Sequence, residues 1–231
     1  IMSFVALAVG AVFIRDPEER DDLVKKTKGK ATDGFGTGEM LKTPQFWIFV
    51  VWCVASNSAG LMIISSAAPI AVAFGAPAIV GMVVSIFNGA GRVMIGAIFD
   101  KLGRKGTMLI NIGILAAAGV VLLLGAKTAA VALILIGLLG MGLSYGGNPT
   151  ITASFINKQF GPKYFAVNFS LANFSLIPAA LIGPMLTSKL IEKSGGTYDT
   201  TFMAIIALAA IAFVLWLLLN VTCAASERKN A

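Results

Sequence analysis

No histidine occurs anywhere in the 231 residues, and only two cysteines do, Cys53 and Cys223. The commonest transition-metal ligand and the commonest general base are therefore both missing. Two cysteines so far apart, each in or beside an apolar run, make neither a disulfide framework nor a metal site. Charge is also scarce, at 13% of residues, with 11 acidic side chains in the whole chain. None of the acidic side chains lies deep inside an apolar run. An enzyme is not expected, since acid–base chemistry within those runs has no group to carry it. No cofactor and no metal is expected either.

What remains is apolar. Hydrophobic residues make up 57% of the chain, and the mean hydropathy is +0.87. That composition places the chain among membrane proteins, with the lipid bilayer as its first partner. The pI near 9.6 does not imply nucleic acid. The cations form no single patch but fall in short segments between apolar runs, the arrangement of a membrane protein.

Residues 1–14 are an apolar run too short to span a bilayer, which takes about 20 residues. They read as the end of a helix that begins upstream, so the chain reads as a fragment of a longer protein. Residues 15–44 form the one long polar segment, and its basic and acidic residues balance. Its glycine-rich part, Asp33-Gly-Phe-Gly-Thr-Gly38, neither follows a strand nor opens a phosphate-binding helix. A solvated linker with a short surface helix is the expected form. Six apolar segments follow, at about 45–74, 79–99, 107–126, 129–155, 165–190 and 201–221, and residues 222–231 are left as a tail. The expected fold is an all-α membrane protein with a six-helix transmembrane part at 45–221.

Lys and Arg set the orientation. With the linker inside, the linker and alternate loops collect fourteen cations, among them Lys101, Arg104, Lys105, Lys158, Lys163, Arg228 and Lys229. The opposite loops hold Lys127, Lys189 and Lys193. The linker and the C-terminus are therefore expected on the cytoplasmic side of the cell membrane.

The spans differ in kind. The third and sixth are almost wholly apolar and are expected at the periphery. The others carry polar or small residues at spacings of three and four, hence on one face. Asn57, Ser58, Ser65 and Ser66 lie on the first span, Ser85, Asn88, Arg92 and Gly96 on the second, Tyr145, Asn148 and Thr152 on the fourth, and Asn168, Ala172, Ser175 and Ala179 on the fifth. These four helices are expected to line something polar, although for the glycines and serines helix packing is the better reading. Asn148-Pro149-Thr150 reads as a helix kink rather than a channel motif. Arg92 is harder to assign to packing. A guanidinium at the centre of a span costs about 2.5–3.5 kcal/mol even on insertion scales, so an intramembrane cation faces a cavity or a partner.

Gly96-x-x-x-Asp100-Lys101-x-Gly103-Arg104-Lys105 closes that span. Gly103 permits a positive φ for a sharp reversal. The three cations suit an anionic membrane surface, and Asp100 suits the amides of a neighbouring helix N-terminus. This stretch resembles the loop signature of the major facilitator superfamily, G-x-x-x-D-[RK]-x-G-[RK]-[RK], at all six specified positions. The resemblance implies a C-terminal six-helix half preceded by the end of helix six and the central loop, with the N-terminal half of the same protein as its partner. Leu41-Lys-Thr-Pro-Gln-Phe-Trp47, Ala59-Gly-Leu-Met62, Asn88-Gly-x-Gly-Arg92, Phe160-Gly161 and Gly183-Pro184 are similar to the oxalate/formate antiporter and monocarboxylate transporter group. There the resemblance implies that Arg92 binds a substrate carboxylate.

The same group's oxalate transporter also uses a lysine on helix eleven. The matching position here is near Leu176, and the span has no lysine before Lys189. One cation suits one carboxylate, so a small monocarboxylate is the expected substrate. Asn88 is expected to bond its hydroxyl or keto oxygen and Tyr145 to close the site. Another organic anion, a drug-like solute, or a sensor or scaffold on the same fold are the competing readings.

Overall fold

The computed structural model describes residues 34–230, and side chains as far as Ala225. The expectations for residues 1–14, for most of the linker and for the side chains beyond Ala225 lie outside the described residues. Every element described is a helix. They are α1 (Thr37–Leu41), α2 (Pro44–Ile64), α3 (Ala67–Ala73), α4 (Val80–Thr128), α5 (Val131–Phe160), α6 (Phe165–Asn173), α7 (Leu176–Lys193) and α8 (Asp199–Asn230).

Among the described residues, five helical stretches are long and apolar enough to cross a membrane, and α4 accounts for two crossings. At 1.5 Å per residue, 49 residues would run far beyond a hydrocarbon core of about 30 Å. The chain turns at Gly103, whose φ of 65° and ψ of −168° are off the helical values. Contacts with α5 show the reversal. In the first arm (80–102), Val84 lies at Gly142, Asn88 at Gly146 and Gly96 at Thr150, so this arm runs parallel to α5. In the second arm (104–128), Gly125 lies at Ile134 and Leu122 at Gly137, while Asn111 meets Asn148. This arm runs antiparallel to α5. Six crossings result, as the apolar segments predict.

Two crossings are broken where the sequence predicts one helix. α2 gives way to α3 at Ser65–Ser66, and α6 to α7 at Phe174–Ser175. Proline accounts for both breaks. Pro69 and Pro178 lack the N–H that would bond the carbonyl four residues earlier, which is that of Ser65 and of Phe174 respectively. Pro149 stays inside a continuous α5 and instead leaves the Tyr145 carbonyl without its intrahelical donor. At the far end, α8 continues to Asn230, so residues 222–230, predicted as a tail, prolong the last helix.

One end of the bundle gathers the segments expected to share a membrane face. The Phe35 amide donates to the Phe160 carbonyl at 2.9 Å, and Asn168 Nδ2 donates to the Phe35 carbonyl at 3.3 Å. Gln45 Nε2 donates to the Thr222 carbonyl, and Trp216 Nε1 to the Lys105 carbonyl at 3.0 Å. The end of the linker, the Gly103 turn, the α5–α6 loop and the end of α8 therefore lie together.

The interior holds two apolar cores. One contains Met62, Ile63, Val84, Leu115, Leu122, Leu138, Met141 and Phe202. The other, nearer the Gly103 turn, contains Phe49, Trp52, Ile95, Met108, Ile151, Phe155 and Phe160. Between them every inner helix changes character. Ser56, Asn57 and Ser58 on α2, Asn111 on the second arm, and Ser144 and Asn148 on α5 are all buried. A polar belt thus crosses the bundle at mid-depth. Outside, α8 presents Met203, Ile211, Val214, Leu218 and Val221, as expected of a lipid-facing helix.

Candidate functional site

The belt has a buried part and an open part. In the buried part, Asn111 Nδ2 donates to Asn148 Oδ1 at 2.9 Å, and Asn148 Nδ2 donates to Asn57 Oδ1 at 3.0 Å. This ladder joins three helices. Ser144 Oγ donates to the Asn111 carbonyl at 3.3 Å, and Thr152 Oγ1 to the Asn148 carbonyl at 2.9 Å. Carboxamides suit the position because each offers both a donor and an acceptor and carries no charge to desolvate.

The expectation that Asn148 and Thr152 line a cavity with Tyr145 is corrected here. Both are buried in helix contacts. The stripe on the fifth predicted span is corrected in the same way. Asn168 accepts from Thr37 Oγ1 at 2.9 Å and holds the end of the linker, and Ala172, Ser175 and Ala179 are buried. The nearly apolar third span, expected to be purely supportive, contributes Asn111 to the ladder.

The open part of the belt carries Asn88, Arg92 and Tyr145. Asn88 and Arg92 lie along the seam between the first arm of α4 and α5, and Tyr145 faces α2. That seam is tight because glycines line it. A β-carbon on Gly146 would run into the Asn88 carbonyl oxygen, and one on Gly91 into the Leu143 carbonyl oxygen. Arg92 is exposed at the level between the two cores. Its carbonyl accepts from Thr150 Oγ1 at 3.2 Å. Its guanidinium makes no ion pair or side-chain hydrogen bond among the described residues. Tyr145 is half-buried, with its ring seated on Gly60, where no β-carbon could fit. Asn88 is also half-buried, and its Oδ1 is shielded without a partner.

The loop signature lies at the end of the first arm. Gly96 packs against Thr150, with a β-carbon there 3.4 Å from its Cγ2. Gly103 has the positive φ that its place in the motif predicts. Asp100, Lys101 and Lys105 are exposed, and Asp100 meets no helix N-terminus among the described residues. Arg104 turns toward α8. It is half-buried, and its Nη1 donates to Cys223 Sγ on α8. Sequence reasoning singled out Asn148 and missed the ladder, because its partners, 37 and 91 residues away, carry no local signal.

Comparison with known proteins agrees with this architecture. Residues 1–177 match the family described as Major Facilitator Superfamily. The chain is 29% identical over 221 residues to the oxalate:formate antiporter of Oxalobacter formigenes, covering 93% of this chain and 51% of that protein. It is 26% identical over 166 residues to the uncharacterized MFS-type transporter YhjX of Escherichia coli (strain K12), covering 69% and 40%. The chain spans about half the length of the curated relatives it matches. Its helices, its mid-depth polar belt and the family match together make this chain a multi-pass membrane protein of the major facilitator superfamily.

Proposed function

We propose that this chain supplies the C-terminal six-helix half of a secondary transporter that moves a small monocarboxylate by alternating access, with Arg92 as the carboxylate anchor. The single observation that carries the reading is Arg92 itself. A guanidinium lies at belt level on an open face, with no anionic partner among the described residues. Its planar fork can take a carboxylate through two parallel hydrogen bonds. Asn88 and Tyr145 lie beside it to select what else the anion carries. The similarity to an oxalate:formate antiporter supports carboxylate exchange. The linker and C-terminus are assigned to the cytoplasmic side by the charge distribution, and the N-terminal half of the full protein is taken to close the other side of the site.

The test is substrate binding and transport by Arg92→Lys and Arg92→Ala in the full-length protein, with membrane insertion checked. Both variants should insert, and both should lose most anion binding, since lysine lacks the fork. Binding of a monocarboxylate by Arg92→Ala at wild-type affinity would leave Arg92 a structural cation. Retained affinity for uncharged, drug-like solutes would favour that substrate class instead.

A further inference from the structure

The seam between the first arm and α5 does not end at Arg92. It continues past Gly96 and Thr150 to Phe99, where Lys158 Nζ lies 6.0 Å from the ring centroid. Lys158 is eight residues beyond Thr150 on α5, about 12 Å further along at 1.5 Å per residue. Its ammonium also reaches the turn, 3.6 Å from where a β-carbon on Gly103 would lie. Here a cleft of about 330 Å³ is lined by Leu102, Arg104, Lys105, Phe155, Lys158 and Gln159.

Three of those six residues are cations and none is an acid. Phe155, 1% exposed, gives the cleft an apolar wall, and Gln159 adds a neutral amide. Arg104 spends one donor on Cys223 and has others to offer, since a guanidinium carries five N–H groups. No carboxylate pairs with Arg104, Lys105 or Lys158 among the described residues. Like charges held around one concave space repel each other unless an anion sits among them. A concave cationic surface also raises the local concentration of small anions.

We propose that this cleft is a second, weaker carboxylate station, through which the substrate anion enters and leaves the Arg92 site on the membrane face that carries the Gly103 turn. Its cations are Arg104, Lys105 and Lys158. The identity of the anion rests on the reading of Arg92 as carboxylate anchor; the cleft and its charge do not. The station is weaker because Lys105 and Lys158 are exposed, where water and salt screen them. A second cation on the path fits the absence of a lysine near Leu176 on α7: the chain provides successive single contacts for one carboxylate rather than two simultaneous contacts for a dicarboxylate.

The experiment measures formate transport by the full-length protein in oriented membrane vesicles, with KM determined separately on each face. Lys105→Gln and Lys158→Gln should each raise KM about threefold on the turn face, as expected for one partly screened charge near the ligand. The double variant should raise it about tenfold, with kcat within a factor of two and KM on the opposite face unchanged. Lys163→Gln removes a charge at the same end but outside the cleft, and should leave both values unchanged. In the unmodified protein, KM on the turn face should rise more steeply with ionic strength than KM on the other face, which tests the station without any substitution. Unchanged KM on the turn face in the double variant overturns the proposal, as does an equal effect from Lys163→Gln, which would show a general surface potential. If Arg92→Ala abolishes transport while the cleft variants leave KM alone, the station fails and the anchor stands. If Arg92→Ala transports normally while the cleft variants raise KM on one face, the anchor fails and the station stands.

Discussion

Replacing Asn148 by leucine tests whether the asparagine ladder holds the bundle together. The two side chains share the same branched skeleton of four heavy atoms, so the change removes hydrogen bonds and creates no cavity. Asn148 is 1% exposed and bonds Asn57 on one side and Asn111 on the other. Leucine would strand Asn57 Oδ1 and Asn111 Nδ2 between two apolar cores. Interhelical hydrogen bonds in membrane proteins contribute about 0.6 kcal/mol each on average, with a maximum near 1.7. Leaving a buried polar atom unpaired adds about 1–3 kcal/mol. Asn148→Leu should therefore destabilise the full-length protein by roughly 2–4 kcal/mol, measured by denaturant titration in detergent. The triple replacement Asn57→Leu, Asn111→Leu, Asn148→Leu should be more stable than Asn148→Leu alone, because it leaves no orphaned partner. A loss under about 0.5 kcal/mol for Asn148→Leu, the range of an ordinary surface change, would refute the reasoning.

Three further outcomes follow from the seam and the turn. Gly146→Ala puts a β-carbon into the Asn88 carbonyl oxygen and should cost about 1–3 kcal/mol in the same titration, whereas Gly89→Ala, with nothing within 4 Å of the new atom, should cost nothing. Tyr145→Phe should weaken binding of a hydroxylated acid such as lactate more than that of an unsubstituted one, read by competition; equal effects would remove the phenol from the site. Asp100→Asn should slow turnover more than it weakens binding, because Asp100 is exposed at the helix end, about 12 Å from Arg92 along the arm; lost affinity at normal turnover would contradict this.

The number of crossings was legible in the sequence because span length is set by bilayer thickness and needs no tertiary information. The reversal at Gly103 was equally legible, since a glycine between charged residues at the end of an apolar run is a local signal. What each polar stripe would meet was not. Periodicity shows that Tyr145, Asn148 and Thr152 share a side of α5; it does not show that Asn57 and Asn111 arrive opposite Asn148 while Gly60 arrives opposite Tyr145. The broken crossings were half-visible. Pro69 and Pro178 stand in the sequence, but so do Pro149 and Pro184, which lie inside unbroken helices. Whether the chain breaks or bridges at a proline depends on neighbours that can satisfy the freed carbonyl.

The belt also separates two uses of polarity at one depth. In hydrocarbon a polar group needs a partner inside the protein, because no water is there to serve. Asn57, Asn111 and Asn148 meet part of that need with one another, with Asn111 Oδ1 left unpaired, and the result is a joint between three helices. Arg92 meets it with nothing among the described residues, although it lies on the same belt and carries a full charge. Snorkelling does not rescue it, because a side chain near the middle of a span reaches only part of the way to the surface. Asp100 does not rescue it either, since residues eight apart on a helix are not neighbours. A face that keeps an unpaired guanidinium at mid-depth is therefore not a lipid face. That is the physical ground for proposing Arg92 as the anchor: an intramembrane cation with no partner among the described residues is by default a candidate functional group.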